Sequence, residues 1–183
     1  MIPTRIGPVL PTALAAIALV AIMVRARGSY QPFFNRFLVG ITSGLVATLV
    51  YDASRWLLRS AFSISFDPFG AHPVFGKLML GIPETEPTAI VSGWIYHFYN
   101  GIAFGLMYAL IAGPAPWPWA VAWSFALELA MMASYPELMG VRLADPGFLF
   151  LSISGHLLWG ITLGVMVQRY AAPGRLLVRE DAG

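Results

Sequence analysis

The stretch "GWIYHFYNGIAFGLMYAL", residues 93–110, is apolar enough to cross a lipid bilayer, yet it contains a histidine and an asparagine. His97 and Asn100 are three residues apart, so on a helix they lie about one turn from each other on the same side. Polar groups are costly in hydrocarbon. The stretch therefore predicts a membrane helix whose polar side is turned away from lipid.

The composition of the whole chain also favours a membrane location. Of its 183 residues, 58% are hydrophobic and 11% are charged, and the mean hydropathy is +0.71. A soluble domain carries about a quarter charged residues. The length predicts a single domain over residues 1–183. The absence of cysteine excludes disulfides, thiolate metal sites and cysteine nucleophiles, and a net charge of +2 gives no indication of nucleic acid as a partner.

Five segments approach the roughly 20 apolar residues that a membrane helix needs. They are residues 9–26, 37–58, 89–112, 118–135 and 147–168. The longest connection, 60–88, is predicted to cap the bundle, and "VFGKLML" within it to form a short interfacial helix. The predicted fold is therefore all-α: a polytopic membrane helix bundle with about five transmembrane helices.

The positive charges give a preferred orientation. With five spans the two termini lie on opposite sides of the membrane, and the side of the C-terminus has the larger share of arginines. By the positive-inside rule, the C-terminus is predicted to be cytoplasmic. The arginines of that side are Arg25, Arg27, Arg36, Arg169, Arg175 and Arg179.

Two of the predicted spans share the pattern small-x3-His-x3-Gly-x3-Gly. The third span has Gly93, His97, Gly101 and Gly105, and the fifth has Ser152, His156, Gly160 and Gly164. Related stripes are Gly40, Gly44, Thr48 and Asp52 in the second span, and Ala120, Ser124 and Glu128 in the fourth. Residues four apart share a helix face, and small residues let membrane helices approach closely. The ionisable groups are therefore predicted to face other helices.

The depths of these groups agree as well. Consecutive spans run in opposite directions, and each residue of a helix adds about 1.5 Å. Asp52, His97, Glu128 and His156 are then all about 10 to 14 Å below the membrane face that carries residues 60–88. They are predicted to form one polar layer.

Further residues are predicted to complete this layer. They are Arg55, Asn100, and Tyr96 or Tyr99. Glu128 is predicted to be protonated, or paired with His97, His156 or Arg55. His72 is in the connection and is predicted to lie apart from the layer.

Several kinds of chemistry remain open for these groups. Asp52 and Arg55 are three apart and could simply neutralise each other. Histidine titrates near neutrality, so the layer could conduct protons or ions. His97 and His156 could instead be the axial ligands of haem b, or could hold a metal together with Glu128. No nucleophile motif or phosphate-binding loop appears, which disfavours hydrolases and nucleotide-binding proteins.

Three short motifs resemble a known family. With "HFYNG" (97–101), "YPELMG" (135–140) and "SGHLLWG" (154–160), the chain resembles the YagU-type family of small bacterial inner-membrane proteins. The resemblance implies a multi-pass protein of the bacterial inner membrane in which His97 and His156 are matched. It implies no activity.

The function predicted from these observations is non-enzymatic. The chain is interpreted as a transport or proton-path element, or as an accessory subunit of a membrane complex. The alternative is a membrane redox subunit that binds haem b or a metal. The predicted partners are the lipid bilayer and either other membrane subunits or further copies of the same chain.

Overall fold

All regular structure in the described part of the chain is helical. The computed structural model describes residues 31–134 and 145–172, together with residues 18 and 20–22, which are helical. The helices are α1 (Gln31–Ala61), α2 (Ala71–Leu80), α3 (Pro87–Ala112), α4 (Pro118–Ser134) and α5 (Pro146–Tyr170). The all-α prediction is confirmed for these residues.

Local sequence explains where the helices begin and end. A proline opens α3, α4 and α5, since its missing N–H is not needed in a first turn. Asp145 caps α5, because its carboxylate accepts hydrogen bonds from two backbone N–H groups of the first turn at 2.7 and 3.1 Å. α2 stops at Gly81, whose φ of 67° is left-handed.

Among the described helices, three are long and apolar enough to cross a membrane. They are α1, α3 and α5, and they contain the predicted spans 37–58, 89–112 and 147–168. α4 is apolar but has 17 residues, which gives it a length of about 26 Å against a hydrocarbon core of about 30 Å. The predicted span 9–26 is outside the described residues apart from residues 18 and 20–22. The structure thus supports a membrane protein, while the number of five spans stays a prediction.

α1 lies at the centre of the bundle. It packs against both α3 and α5, while α2 packs on α3 and α4 packs on α5. The start of α1 meets the end of α5, where the Asn35 side chain donates to the Tyr170 carbonyl at 2.7 Å. α3 and α4 pack on each other less closely than these pairs, although both contribute residues to the hydrophobic core.

The small-residue stripes face neighbouring helices, as predicted. A methyl group on Gly105 of α3 would lie 2.5 Å from the Cα of Gly44 in α1, and one on Gly101 would overlap the Thr48 side chain. On α5, Gly160 approaches the backbone of α4 so closely that a methyl group there would lie 2.7 Å from a Cα atom. Small residues therefore set the distances between helices.

The short helix predicted within residues 60–88 is present as α2. Two glycines place it directly on the first half of α3. A methyl group on Gly76 would overlap the Ala89 carbonyl, and one on Gly93 would overlap the His72 carbonyl. Because the two backbones are in contact, α2 is held against the part of α3 that leads to His97.

Candidate functional site

The first pair of ionisable groups joins α1 to α3. The Nε2 atom of His97 lies 3.0 Å from both carboxylate oxygens of Asp52. The two side chains are largely but not completely buried, with exposed fractions of 18% and 13%. When Asp52 is ionised, Nε2 carries the hydrogen that is donated, and Nδ1 remains for another partner.

The second pair joins α4 to α5. The Nε2 atom of His156 is 3.2 Å from Oε2 of Glu128, and its Nδ1 lies 3.0 Å from the Ser152 carbonyl, to which it donates. The Ser152 hydroxyl donates to the other oxygen of Glu128. Glu128 is 3% exposed. Of the three partners predicted for Glu128, the structure provides His156.

Tyr51 lies between the two pairs. Its ring centroid is 5.0 Å from that of His156 and 6.1 Å from that of His97. The Arg55 guanidinium covers the same tyrosine at 4.5 Å and donates to the Pro68 carbonyl at 2.6 Å. Arg55 therefore ties α1 to the connection before α2, and its guanidinium is engaged there while the Asp52 carboxylate pairs with His97.

His72 belongs to this cluster, so the prediction that it lies apart from the layer is wrong. It is 4% exposed, and its ring centroid is 4.4 Å from that of His97 and 4.2 Å from that of Trp94. Burial is the main cause, and together with the charges of His97 and Arg55 it lowers the pKa of His72 to about 3. The sequence did contain a signal for this contact, namely Gly76 and Gly93, which let α2 fold onto α3.

A cavity of about 370 Å³ lies beside these groups. α3 and α4 form its sides, α1 and α5 its back, and α2 covers one end. Its polar lining residues are Thr48, Tyr51, His72, Tyr96, His97, Asn100, Ser124 and His156. Tyr99 is not among the lining residues and is half exposed. Of the two tyrosines predicted as alternatives, Tyr96 therefore reaches the site.

The comparison with protein families finds a match that covers most of this chain. A family profile matches residues 34–178, which include the described helices from α1 to α5 apart from the first residues of α1. The chain belongs to the DUF6789 family, a family of unknown function. No curated protein and no solved structure matches it.

The DUF6789 match fits an uncharacterised family, as predicted, and it does not single out YagU-type proteins. Within the DUF6789 region, "HFYNG" lies on α3 and "SGHLLWG" on α5. The third motif, "YPELMG", is outside the described residues. The predicted span 9–26 precedes the matched region.

The described part of this DUF6789 chain does not fit the cofactors predicted for it. It contains no group of three His, Asp or Glu side chains placed to hold a metal ion. A haem with two axial histidines needs both imidazoles to face one iron. Instead, His97 and His156 each direct Nε2 at a carboxylate, and the ring of Tyr51 lies between them. Haem b, or a metal held by His97, His156 and Glu128, would require these pairs to separate.

Proposed function

We propose that this DUF6789 protein is a membrane-embedded transport element that conducts protons in the bacterial inner membrane. The observation that carries the proposal is that two carboxylate–histidine pairs, Asp52–His97 and Glu128–His156, stand beside one cavity with a tyrosine between them. The resemblance of the α3 and α5 motifs to a bacterial inner-membrane family supports the location.

The Asp52–His97 pair is suited to take up a proton. A proton that arrives at Nδ1 of His97 produces an imidazolium, and the neighbouring carboxylate compensates its charge. Uncompensated charges are costly in a membrane, so the carboxylate makes the charged state accessible there. Because His97 lines the cavity, Nδ1 can exchange protons with molecules that enter the cavity.

The Glu128–His156 pair offers a second station. The Nδ1 atom of His156 donates to the Ser152 carbonyl, so in the neutral ring Nε2 has no hydrogen and faces Oε2 of Glu128 at 3.2 Å. A further proton here is accepted by that Glu128 oxygen, which then donates to Nε2. A proton on that oxygen leaves both members neutral, which suits the more deeply buried pair. The two pairs can therefore alternate between charged and neutral forms on opposite sides of Tyr51.

The same chemistry would serve a protein that works alone or an accessory subunit of a larger membrane complex. A test on the purified chain separates these two cases, because only a protein that works alone would conduct protons in the absence of other subunits. We propose that the chain conducts protons on its own, and this is the activity to be measured.

The experiment is a proton-flux assay in liposomes. The purified protein is reconstituted with a pH-sensitive dye inside the vesicles, and a potassium gradient with valinomycin sets the membrane potential. We expect flux above that of protein-free vesicles, and we expect Asp52→Asn and Glu128→Gln each to remove it. Asp67→Asn is the matched control, because Asp67 is an exposed carboxylate paired with Arg59 at 3.3 Å outside the cavity. Wild-type flux no higher than that of protein-free vesicles, or flux that survives in both pair variants, would refute the proposal.

A further inference from the structure

The cavity contains polar atoms that nothing in the described chain satisfies. The Nδ1 atom of His97, the amide of Asn100 and the hydroxyl of Tyr96 belong to lining residues, and none of the three groups has a hydrogen-bond partner among the described residues. All three residues lie within about one turn of α3. This side of α3 therefore presents an unused hydrogen-bonding edge to the cavity.

The remaining walls are apolar and largely aromatic. The rings of Phe75, Phe104 and Trp159 line the cavity together with that of Tyr51. Aromatic faces bind flat apolar molecules well, since the contact combines large area with favourable ring geometry. A volume of about 370 Å³ is near the lower end of the range for small-molecule sites, which is enough for one or two fused rings.

The charged groups beside the cavity already have partners. Asp52 and Glu128 each pair with a histidine, and Arg55 is bound to the Pro68 carbonyl and covers Tyr51. A charged ligand would have to break one of these interactions. α3 and α4 both line the cavity, and they pack on each other less closely than the other neighbouring helices do. These observations favour an uncharged ligand.

We propose that the cavity binds a neutral, planar, lipophilic molecule of one or two fused rings with oxygen substituents. His97 Nδ1 and the Asn100 amide bind the oxygens, and the aromatic walls cover the ring. This inference uses the cavity of the proposed function and names the class of molecule that occupies it. Binding does not require proton flux, so each can be tested without the other.

The protonation of His97 then selects the form of the ligand. With the Nε2 hydrogen donated to Asp52, Nδ1 accepts a hydrogen bond in the neutral ring and donates one in the imidazolium. A ring hydroxyl therefore fits the neutral histidine, and a ring carbonyl fits the protonated one.

The test uses two probes of nearly equal shape. The full chain is placed in lipid nanodiscs and dialysed against 2-methyl-1,4-naphthoquinone or 2-methylnaphthalene, with empty nanodiscs as the blank. The chain has no cysteine, so no thiol can add to the quinone. We expect saturable binding of the quinone and binding of the hydrocarbon at least about tenfold weaker, the ratio for one or two hydrogen bonds.

Two variants locate the site. Asn100→Leu keeps the size of the side chain and removes the amide, and we expect it to weaken quinone binding about tenfold. Ala130→Phe should abolish binding of both probes, because Ala130 lines the cavity and is exposed, so a larger side chain can enter the cavity without crowding the core. Tyr99→Phe is the matched control on the same helix, since Tyr99 does not line the cavity.

The outcomes separate this inference from the proposed function. Equal binding of the two probes, or quinone binding unchanged in both Asn100→Leu and Ala130→Phe, would overturn the inference while leaving the flux assay unaffected. Quinone binding with the expected variant pattern, in a protein without proton flux, would retain the ligand site and refute proton conduction.

Discussion

The two carboxylate–histidine pairs use the same residue types but differ in how completely the chain encloses them. The Asp52–His97 pair keeps one imidazole nitrogen without a partner among the described residues, and it borders the cavity under α2. In the Glu128–His156 pair, Ser152 binds one imidazole nitrogen and one carboxylate oxygen, and the other nitrogen and the other oxygen face each other at 3.2 Å. The first pair is therefore open to the cavity, whereas the second is enclosed by residues of its own two helices.

The difference arises from the neighbours that each helix supplies. On α5, the residue one turn before His156 is a serine, whose carbonyl and hydroxyl complete a closed network. On α3, the corresponding residue before His97 is Gly93, which offers no side chain and admits the backbone of α2 instead. Ser152 and Gly93 thus occupy the same position of the shared pattern with different results. The serine completes a hydrogen-bond network, whereas the glycine lets α2 cover α3.

The largest expected effect comes from breaking the closed pair. Glu128→Ala leaves the imidazole of His156 and the Ser152 hydroxyl without their partner in a buried position, and we expect it to cost about 3–5 kcal/mol of stability. Asp52→Ala should cost less, about 1–3 kcal/mol, because water from the cavity can reach His97. Thermal unfolding of both variants in the same detergent measures the difference. Equal losses would mean that the two pairs are enclosed to the same degree.

A smaller effect is expected when the covering helix is displaced. Gly93→Ala and Gly76→Ala each place a methyl group on a backbone carbonyl of the facing helix, and overpacking of this kind costs about 1–3 kcal/mol. We expect both to loosen α2 and to speed hydrogen exchange in residues 71–80. Gly70→Ala is the control, since a methyl group there would meet nothing closer than 3.6 Å and its φ is −60°. Exchange in α2 that is unchanged in all three variants would show that glycine contact does not hold the helix.

The pH dependence that His72 gives to the stability of the chain is the next smaller effect. Its pKa is about 3 in the folded chain against an ordinary value of 6.5, so the unfolded chain binds more protons between these values. The contribution of His72 to stability is then complete above pH 6.5 and declines as the pH falls towards 3. Between pH 6.5 and 5.5 the decline is about 1 kcal/mol. We expect His72→Phe, which keeps a ring against His97, to unfold with a shallower dependence on pH over this interval.

That expectation has a clear contrary result. If unfolding temperatures of the wild type and of His72→Phe fall in parallel between pH 7 and pH 5, then His72 is not a neutral buried group. α2, which covers the Asp52–His97 pair, would in that case place a charged His72 beside His97.

Much of this arrangement follows from helix periodicity and depth. The stripe positions placed Asp52, His97, Glu128 and His156 on the faces that meet other helices, and the glycine contacts confirm those faces. The choice of partner did not follow, because it depends on the rotation of each helix about its axis. That rotation is fixed by contacts between residues distant in the chain, such as Gly101 with Thr48.

The role of α2 was harder to predict for a similar reason. Its sequence indicated a short helix, but whether it lies in the interface or folds onto α3 is decided by Gly76 and Gly93 together. The two glycines are separated by residues 77–92, so neither pattern alone reveals the contact. His72 was misplaced as a consequence.

The smallest expected effect distinguishes two tyrosines on α3 that the helical pattern treats as equivalent. Tyr99 is half exposed on the outside of the bundle, whereas Tyr96 lines the cavity and contacts Phe75 at a tilt, with ring centroids 5.2 Å apart. The hydroxyl of Tyr99 has no hydrogen bond to any residue that the structure describes, so Tyr99→Phe should change stability by less than about 0.5 kcal/mol and leave quinone binding unchanged. Tyr96→Phe should also preserve stability, because the ring contact remains, but it should weaken binding of an oxygen-bearing ring. Dialysis and thermal unfolding of both variants check this. A binding loss at Tyr99 equal to that at Tyr96 would mean that the ligand lies on the outer face of α3 rather than between the two pairs.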